Sequence, residues 1–336
     1  MSDPVLLGDW HAVSQSDALA VGEVLGATVL DEAVVVWRDS AGVAHAFRDR
    51  CPHRGAKLSL GCVRDGFALQ CPYHGWRFDG AGRCVVMPAQ PGQDAPEKFS
   101  AQTLPLVEAW GLVWVSLCAT PAPVPVMPEV DDDYALVVDG PYEVATSGPR
   151  AVENFLDMAH FPFIHSGSLG AEPHTQIADY LVELSADGVR ATGCKVWQPQ
   201  TTLVAEAGAE TAYTYWVPRP LRAVLTKEPG AKGEKPTDVI LLAATPVGEV
   251  RTQIWFVLAM TYAKGQPAQP FRDFQHAIFM QDKAVLESQQ PQRLPLDPMA
   301  ECHQRADRLS LSYRRWLAQL GLRYGVISPP ETRAAP

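Results

Sequence analysis

Two short motifs of cysteine and histidine constrain this chain more than any other feature of its sequence. The first is Cys51-x-His53, and after a spacer of 17 residues the second is Cys71-x-x-His74. In both motifs proline follows the cysteine and glycine comes soon after the histidine, which predicts tight turns whose backbone N–H groups are free to bond to sulfur. Two thiolates and two imidazoles brought together in this way predict a metal centre.

Two kinds of metal centre use two cysteines and two histidines. A [2Fe–2S] cluster of the Rieske type has both cysteines on one iron and both histidines on the other, which raises its reduction potential. A structural zinc site is the alternative, but zinc modules usually pair the two cysteines in one loop and the two histidines in another. Each motif here mixes one cysteine with one histidine, so we favour the cluster. At all four positions the sequence resembles the Rieske family.

Composition and charge limit the classes of protein that remain. The 336 residues are 47% hydrophobic, enough for two domains with their own cores. The formal net charge of −10 argues against nucleic acid and anionic membranes as partners. We see neither an apolar run that could span a bilayer nor a signal segment, so we expect a cytoplasmic protein. The other five cysteines are scattered and suggest no disulfide framework.

The pattern of elements predicts an α+β chain of two domains. Residues 33–38 and 43–47 flank a turn and form a β-hairpin, and the first third as a whole looks β-rich. Proline and aspartate interrupt this pattern at residues 121–133. Strands then dominate residues 178–262, and helices follow at 271–290 and 300–320, which suggests a helix packed across an antiparallel sheet. We therefore expect domains at residues 1–120 and 121–327, followed by a disordered tail at 328–336.

A second metal site is predicted after the linker. Residues 149–160 form an amphipathic helix, with Asn154, Asp157 and His160 on one stripe. Pro162 is expected to end this helix, so that His165 can turn back towards His160. Two neighbouring histidines are, however, equally consistent with ordinary core or surface imidazoles.

A third ligand is suggested by a charge on an apolar helix face. In the helix at 271–290, Asp282 continues the stripe of Phe274 and Ile278, where a leucine would be expected. A buried carboxylate is costly unless it is paired with a cation or a metal. Two histidines and one carboxylate make the facial triad of non-haem Fe(II) oxygenases. The alternative is a pair with a lysine or arginine, but the adjacent Lys283 points elsewhere.

The segment ENFLDMAHFPFIHSGSLG resembles the D-x2-H-x4-H motif of the Rieske non-haem iron oxygenases, and MQDKAVLESQQP resembles their distal carboxylate helix. The resemblance extends from about residue 8 to 325 and is closest to the oxygenase subunits of vanillate O-demethylase and purine N-demethylase type. It implies an N-terminal all-β Rieske domain and a C-terminal helix-grip (START-like) catalytic domain. The implied cofactors are the [2Fe–2S] cluster, mononuclear Fe(II) and the cosubstrate O2.

The resemblance also assigns roles to individual residues. His160, His165 and Asp282 would hold the mononuclear iron. In a head-to-tail homotrimer, Asp157 would link His74 of a neighbouring subunit to its own His160, because cluster and iron within one chain are too far apart; alternatively it only orients His160. Asn154 would lie near the iron, or it is merely part of the polar helix face.

The implied function is that of a terminal oxygenase that hydroxylates or demethylates a small aromatic or heteroaromatic compound. The sequence has neither a G-x-G-x-x-G motif nor plant-type ferredoxin spacing, so a separate flavin- or ferredoxin-type reductase is expected. One alternative is a hydroxylase of methyl or ring carbons without dealkylation. Two further alternatives lack the second iron: a Rieske electron carrier and a zinc-stabilised ligand-binding protein. The sequence does not identify the substrate.

The substrate pocket is the least specified part of the prediction. Basic residues Arg219, Arg222 and Lys227 are candidates for binding a substrate carboxylate or sulfonate, although exposed loop charges are the simpler interpretation. Residues 218–236 are expected to form a lid or a loose surface loop. The aromatic and aliphatic candidates for the pocket wall are Phe163, Trp197, Tyr213, Trp216, Trp255, Phe256 and Leu258.

Overall fold

The computed structural model describes residues 3–200, 207–228 and 235–329, which divide into two compact units. The smaller unit is Leu7–Pro125, and the larger contains the described residues from Val126 onward together with those before Leu7. The residues before Leu7 belong to the larger unit because the carboxylate of Asp3 accepts hydrogen bonds from the backbone N–H groups of Arg323 (2.7 Å) and Tyr324 (3.0 Å). The limits 1–120, 121–327 and 328–336 remain a prediction, and the tail from residue 330 lies outside the described residues.

The smaller unit consists of short antiparallel strands in three sheets, as the all-β prediction requires. The sheet orders are β1-β11-β10, β2-β3-β4-β9 and β5-β6-β7-β8. The strands are β1 (His11–Gln15), β2 (Val24–Val29), β3 (Glu32–Arg38), β4 (Ala44–Arg48), β5 (Cys62–Arg64), β6 (Ala68–Gln70), β7 (Arg77–Asp79), β8 (Cys84–Val86), β9 (Thr103–Leu104), β10 (Leu106–Ala109) and β11 (Leu112–Val115).

The larger unit is built on one seven-stranded antiparallel sheet in the order β12-β18-β17-β16-β15-β14-β13. A two-stranded parallel pair, β19-β20, lies apart from it. The strands are β12 (Ala135–Val144), β13 (Leu181–Ser185), β14 (Gly188–Gln198), β15 (Ala209–Arg219), β16 (Arg222–Lys227), β17 (Asp238–Gly248), β18 (Arg251–Met260), β19 (Leu294–Pro295) and β20 (Val326–Ile327).

One long helix packs across this sheet and completes the predicted helix-grip arrangement. Phe279 of this helix, α4, lies 4.7 Å from the ring of Tyr142 on β12 and 5.3 Å from the ring of Phe256 on β18. The expected α+β fold is therefore confirmed. No helix in the described ranges combines the length and apolarity needed to cross a membrane. Within residues 3–200, 207–228 and 235–329, the α-helices are α1 (Pro4–Leu7), α2 (Gly148–Leu156), α3 (Phe161–Ile164), α4 (Gln269–Ser288) and α5 (Arg308–Leu320). The 3-10 turns in these ranges are Leu58–Leu60, Glu97–Phe99, Pro298–Ala300 and Arg305–Asp307.

The helix predicted for residues 149–160 is wrong in its C-terminal part. The helix α2 ends at Leu156, and Asp157 adopts an extended backbone as its C-cap. The carboxylate of Asp157 accepts a hydrogen bond from the N–H of Ala159 (2.8 Å), which is the local turn that aspartate favours over a helix interior. Pro162 does not end a helix but lies in the first turn of α3, where its missing N–H costs nothing.

Two other predicted boundaries also differ from the structure. The helix expected at 300–320 begins only at Arg308, because residues 298–307 form two 3-10 turns with an extended link. The predicted end is confirmed, since Gly321 terminates α5 with a φ of 73°. Of the loop expected at 218–236, residues 222–227 are the strand β16, and residues 229–234 lie outside the described ranges.

A buried network of two arginines and two glutamates joins α2 to α5. Arg314 donates to Glu153 at 2.5 and 2.8 Å and to Glu301 at 2.5 Å, and Arg150 donates to Glu301 at 2.7 Å. The side chain of Arg314 is 3% exposed, so its charge depends on these carboxylates for stabilisation. The network fixes the start of the segment that carries Asn154, Asp157 and both predicted iron-binding histidines.

We expect Arg314→Met to lower the free energy of unfolding by about 3 kcal/mol, because it leaves the buried carboxylate of Glu153 and the partly buried carboxylate of Glu301 without one of their two partners. The matched control is Arg305→Met, which removes an exposed pair with Asp179 and should cost less than about 1 kcal/mol. Denaturant unfolding of both variants measures the difference. Equal losses for the two variants would show that the buried network contributes no more than a surface pair.

Candidate metal centres and substrate cavity

The two Cys/His motifs fold into loops with the same backbone geometry. In the first loop the N–H of Gly55 donates to the C=O of Cys51 (2.9 Å), and in the second Gly75 donates to Cys71 (3.1 Å). Each cysteine N–H in turn donates to the carbonyl five residues later, at 2.8 Å in both loops. Gly55 and Gly75 have φ values of 72° and 71°, a conformation that favours glycine. The repeated glycine is therefore a requirement of the turn.

The loops divide their predicted ligands between the interior and the surface. Cys51 and Cys71 are buried in the core of the smaller unit, at 2% and 1% exposure. His53 and His74 are exposed and lie side by side, with ring centroids 4.5 Å apart, and Trp76 stacks on His53 at 4.6 Å. Burial raises the pKa of Cys51 to about 11, and local desolvation together with His74 lowers the pKa of His53. A neutral imidazole is the form that binds a metal.

The spacing of these four side chains fits a group wider than a single ion. In a tetrahedral zinc site, sulfur and nitrogen ligands lie about 3.3–3.8 Å from one another. Here the two thiols interact with each other in the core, and the two imidazole rings lie together at the surface, so that sulfur and nitrogen donors form separate pairs. A [2Fe–2S] cluster, with the thiolates on one iron and the imidazoles on the other, suits this arrangement.

The larger unit brings His160, His165 and Asp282 together at one point. The Nε2 atoms of the two histidines are 3.1 Å apart, and the Oδ1 atom of Asp282 lies 3.4 Å from Nε2 of His160 and 3.2 Å from Nε2 of His165. Ligands on one face of an octahedral ion, with bonds of about 2.1 Å, are separated by about 3.0 Å. The triangle thus has the size and the donor types of a facial triad for Fe(II). The assignment of these residues as iron ligands stays a prediction.

Charge complementarity holds the triad together. Burial alone would raise the pKa of Asp282, but hydrogen bonds from His160 and His165 outweigh burial and hold it at about 2. Burial likewise lowers the pKa of His160, but Asp157 and Asp282 outweigh it and raise the pKa to about 9. Asp282 is 9% exposed and His165 is 1% exposed. An ionised carboxylate at this depth requires cationic or metal neighbours.

Three polar side chains orient the triad. Asp157 lies with Oδ2 3.3 Å from Nδ1 of His160, and Asn154 donates to Oδ1 of Asp282 at 3.3 Å. The predicted proximity of both residues to the site is therefore what the structure shows, although α2 ends before Asp157. The sequence reasoning missed Gln281, whose Oε1 lies 2.8 Å from Nδ1 of His165. Its position next to Asp282 was the available signal, but adjacent helical residues normally point in different directions.

A mostly apolar cavity opens from the triad and runs between α4 and the sheet. Its inner part, of about 80 Å³, has the triad in its wall, and its outer part, of about 120 Å³, continues towards the ends of β16 and β17. Gln275 of α4 lines both parts and was not predicted. The other side chains common to both parts are Phe161, Leu169, Leu225 and Ile240.

The predicted pocket residues have mixed outcomes. Phe256 lines the inner part and Tyr213 and Leu258 line the outer part. Lys227 is a pocket residue and not an exposed loop charge, because it ends β16 and faces the outer part. The remaining candidates line neither part: Phe163, Trp197, Trp216, Trp255, Arg219 and Arg222.

Two family models together match most of the chain. Residues 9–105 match the Rieske [2Fe-2S] domain, and residues 144–323 match the vanillate O-demethylase oxygenase C-terminal domain. The first match contains both Cys/His loops, and the second contains the triad and the cavity. Members of this family use a Rieske cluster, mononuclear iron and O2.

Two of the proteins that this chain resembles come from Pseudomonas species. The chain is 31% identical to the methylxanthine N1-demethylase of Pseudomonas putida over 283 residues, which are 82% of this chain and 76% of that protein. It is 41% identical over 219 residues to a probable methylxanthine N7-demethylase of Pseudomonas sp. (strain TJI-51), covering 64% and 77% of the two chains. The solved structure of the N1-demethylase with caffeine has a TM-score of 0.78 at 28% identity, covering 94% of this chain and 90% of that one.

We expect Gln281→Leu to weaken iron binding at the triad by about 10- to 100-fold, because an unanchored His165 loses its fixed orientation and tautomer. Iron retained against increasing chelator concentration measures the affinity. The matched control is Gln269→Leu on the same helix, where the side-chain amide donates to Asp273 at the exposed start of α4. If both variants retain iron equally well, Gln281 has no part in orienting His165.

Proposed function

Because the chain belongs to the Rieske non-haem iron oxygenases with a vanillate O-demethylase-type C-terminal domain, we propose that it is a demethylating terminal oxygenase of a multicomponent system. Its substrate in this proposal is an N-methylated heteroaromatic compound. The relatives named above act on methylxanthines, which supports this substrate class over O-methyl and C-methyl aromatics. Electrons come from a separate reductase.

One observation carries the proposal: the triad forms the wall of an apolar cavity. Phe155, Leu242 and Phe256 line the same inner part as His160, His165 and Asp282. Such walls would hold a planar ring with its methyl group beside the triad and would exclude water. An electron carrier has no use for a ligand cavity at a second metal site.

The chemistry divides between the cofactors and the chain. When bound by His160, His165 and Asp282, the iron would supply O2 activation, and the cluster held by the Cys/His loops would supply electrons. Oxidation of an N-methyl carbon inserts one oxygen atom of O2, and the other oxygen atom leaves as water after taking up two electrons from the reductase and two protons. The resulting N–CH2OH group releases formaldehyde and the free N–H. In this proposal Gln281, Asn154 and Asp157 hold His165, Asp282 and His160 in orientation during the reaction.

Asp157 is the proposed bridge for electrons between subunits. Its carboxylate is 36% exposed and contacts Nδ1 of His160, so its remaining lone pairs are open to a neighbour. A polar cleft of about 360 Å³, lined by Asp157, His160 and His303, leads to it from the surface. In this proposal the chain forms a head-to-tail homotrimer, and the exposed His74 of a neighbouring subunit donates to Asp157. The cytoplasmic location stays a prediction.

Formaldehyde release tests the proposed reaction. The holoenzyme, a surrogate reductase, NADH and O2 are combined with N-methyl, O-methyl and C-methyl heteroaromatic and aromatic compounds. We expect formaldehyde in proportion to NADH consumption with an N-methyl heteroaromatic. A hydroxylated product without formaldehyde would show a hydroxylase, and no oxidation of any compound would favour an electron carrier.

We expect Asp157→Asn to reduce turnover by at least about 100-fold while both metal centres stay loaded. The amide retains an acceptor for the N–H of Ala159 but removes the negative charge that contacts His160 and that would accept a hydrogen bond from His74 of the partner subunit. Iron content and single-turnover cluster oxidation measure loading and electron transfer separately. Normal cluster oxidation in this variant would contradict the bridge role. The matched control is Asp273→Asn on the exposed start of α4.

A further inference from the structure

The outer end of the cavity contains a donor group without a partner. Gln198 is the last residue of β14 and is 1% exposed, and it lines the cavity. Its Oε1 accepts a hydrogen bond from Nζ of Lys227 at 3.5 Å, which orients the amide. Among the described residues, no acceptor meets hydrogen-bond geometry within 3.5 Å of its Nε2, and the hydroxyl of Tyr213, which also lines the cavity, is a polar group beside it. A buried amide N–H without an acceptor costs free energy unless a ligand supplies one.

The carboxylate at this end already has hydrogen-bond donors. Asp238, at the start of β17, accepts hydrogen bonds from the hydroxyls of Tyr262 (2.6 Å) and Thr237 (2.7 Å). The free hydrogen-bonding capacity therefore belongs to the donors, Nε2 of Gln198 and Nζ of Lys227. A ligand that completes this end must bring an acceptor.

The charges at this end favour an uncharged acceptor. Burial lowers the pKa of Lys227, and the negative charge of Asp238 opposes that effect. Lys227 and Asp238 carry opposite charges in the same wall, so the end has no net charge to attract a carboxylate. A ring carbonyl oxygen meets these conditions, since it accepts two hydrogen bonds and carries no charge.

The sheet sets the distance between this end and the triad. Side chains two apart on a strand share a face, and Asp238, Ile240 and Leu242 of β17 line the cavity in that order. Leu242 belongs to the inner part with the triad, and Asp238 belongs to the outer part. Four residues of strand span about 13 Å. A planar bicyclic ring is shorter than this span, and a hydrogen bond to its carbonyl oxygen at one end and a methyl group facing the triad at the other make up the difference.

We propose that Gln198 and Lys227 are specificity-determining residues that bind a ring carbonyl oxygen of the substrate and hold its N-methyl group towards the triad. The substrate class is thus an N-methylated oxo-heteroaromatic compound. The assignment rests on the proposed demethylation for its biological meaning but makes a claim about binding that can be measured without turnover.

Calorimetric titration of the holoenzyme in the absence of O2 and reductase tests the assignment. The probes are caffeine, which has two ring carbonyl groups, and 1-methylbenzimidazole, which has a similar bicyclic shape and none. We expect Gln198→Leu to weaken caffeine binding about tenfold and to leave 1-methylbenzimidazole binding unchanged. The matched control is Gln253→Leu on β18, whose amide bonds to Glu143 at the surface. Lys227→Met provides a second variant with the same expected pattern.

The outcomes separate this assignment from the proposed reaction. Equal weakening of both probes, or of neither, would overturn the assignment, as would failure of the wild-type protein to bind caffeine. Tighter binding of 4-methoxybenzoate than of caffeine would also overturn it in favour of a carboxylate. Selective weakening without formaldehyde release would support the assignment and contradict demethylation. Formaldehyde release by the wild-type protein, together with unchanged caffeine binding in both variants, would support demethylation and contradict the assignment.

Discussion

A buried carboxylate facing two imidazoles is the constraint on which the larger unit depends. Asp282 is 9% exposed, and its charge is stable there because His160 and His165 approach it at 3.4 and 3.2 Å. This contact requires α4 to cross the sheet at a fixed position and the segment after α2 to turn back on itself. Asp157 and Gln281 then fix the orientation of the two imidazole rings, which the binding of an ion would require.

The two ends of the cavity differ in polarity because the side chains along each strand beneath it change from apolar to polar. Side chains on β16, β17 and β18 alternate between the two faces of the sheet, so each strand contributes a row to the cavity wall. The rows are apolar beside the triad and become polar at Lys227 and Asp238. A ligand that matches both ends has one orientation, and this asymmetry is what can select a single methyl group for oxidation.

In the Cys/His loops, the two kinds of predicted ligand lie in different environments. The cysteines are buried against the core of the smaller unit, while the histidines are exposed at its surface. Buried thiolates hold a cluster in a rigid, apolar setting, and exposed imidazoles give electrons a short route in and out. Gly55 and Gly75 make both loops possible, since a side chain in their conformation would be strained.

The sequence predicted the cofactors of the family because residue types that bind metals are few and chemically distinctive. Both Cys/His motifs, His160, His165 and Asp282 could be read from residue type and period, and the α+β fold followed from the order of strands and helices. Helix boundaries were less predictable: the capping turn of Asp157 ends α2 four residues before the expected position, which periodicity alone does not reveal.

The tertiary structure decided which groups meet around these ligands. Gln281 contacts His165 across 116 positions of the chain, and Gln198 meets Lys227 across 29, so neither pair leaves a local pattern. The side of the sheet on which a strand residue lies depends on register, and register decided that Tyr213 faces the cavity whereas Trp216 does not. The sequence by itself indicated both predicted metal centres, because paired Cys/His motifs, two neighbouring histidines and a carboxylate on an apolar helix stripe are chemically distinctive without a structure. The polar outer end of the cavity could not be predicted from the sequence, because it is assembled from the ends of separate strands.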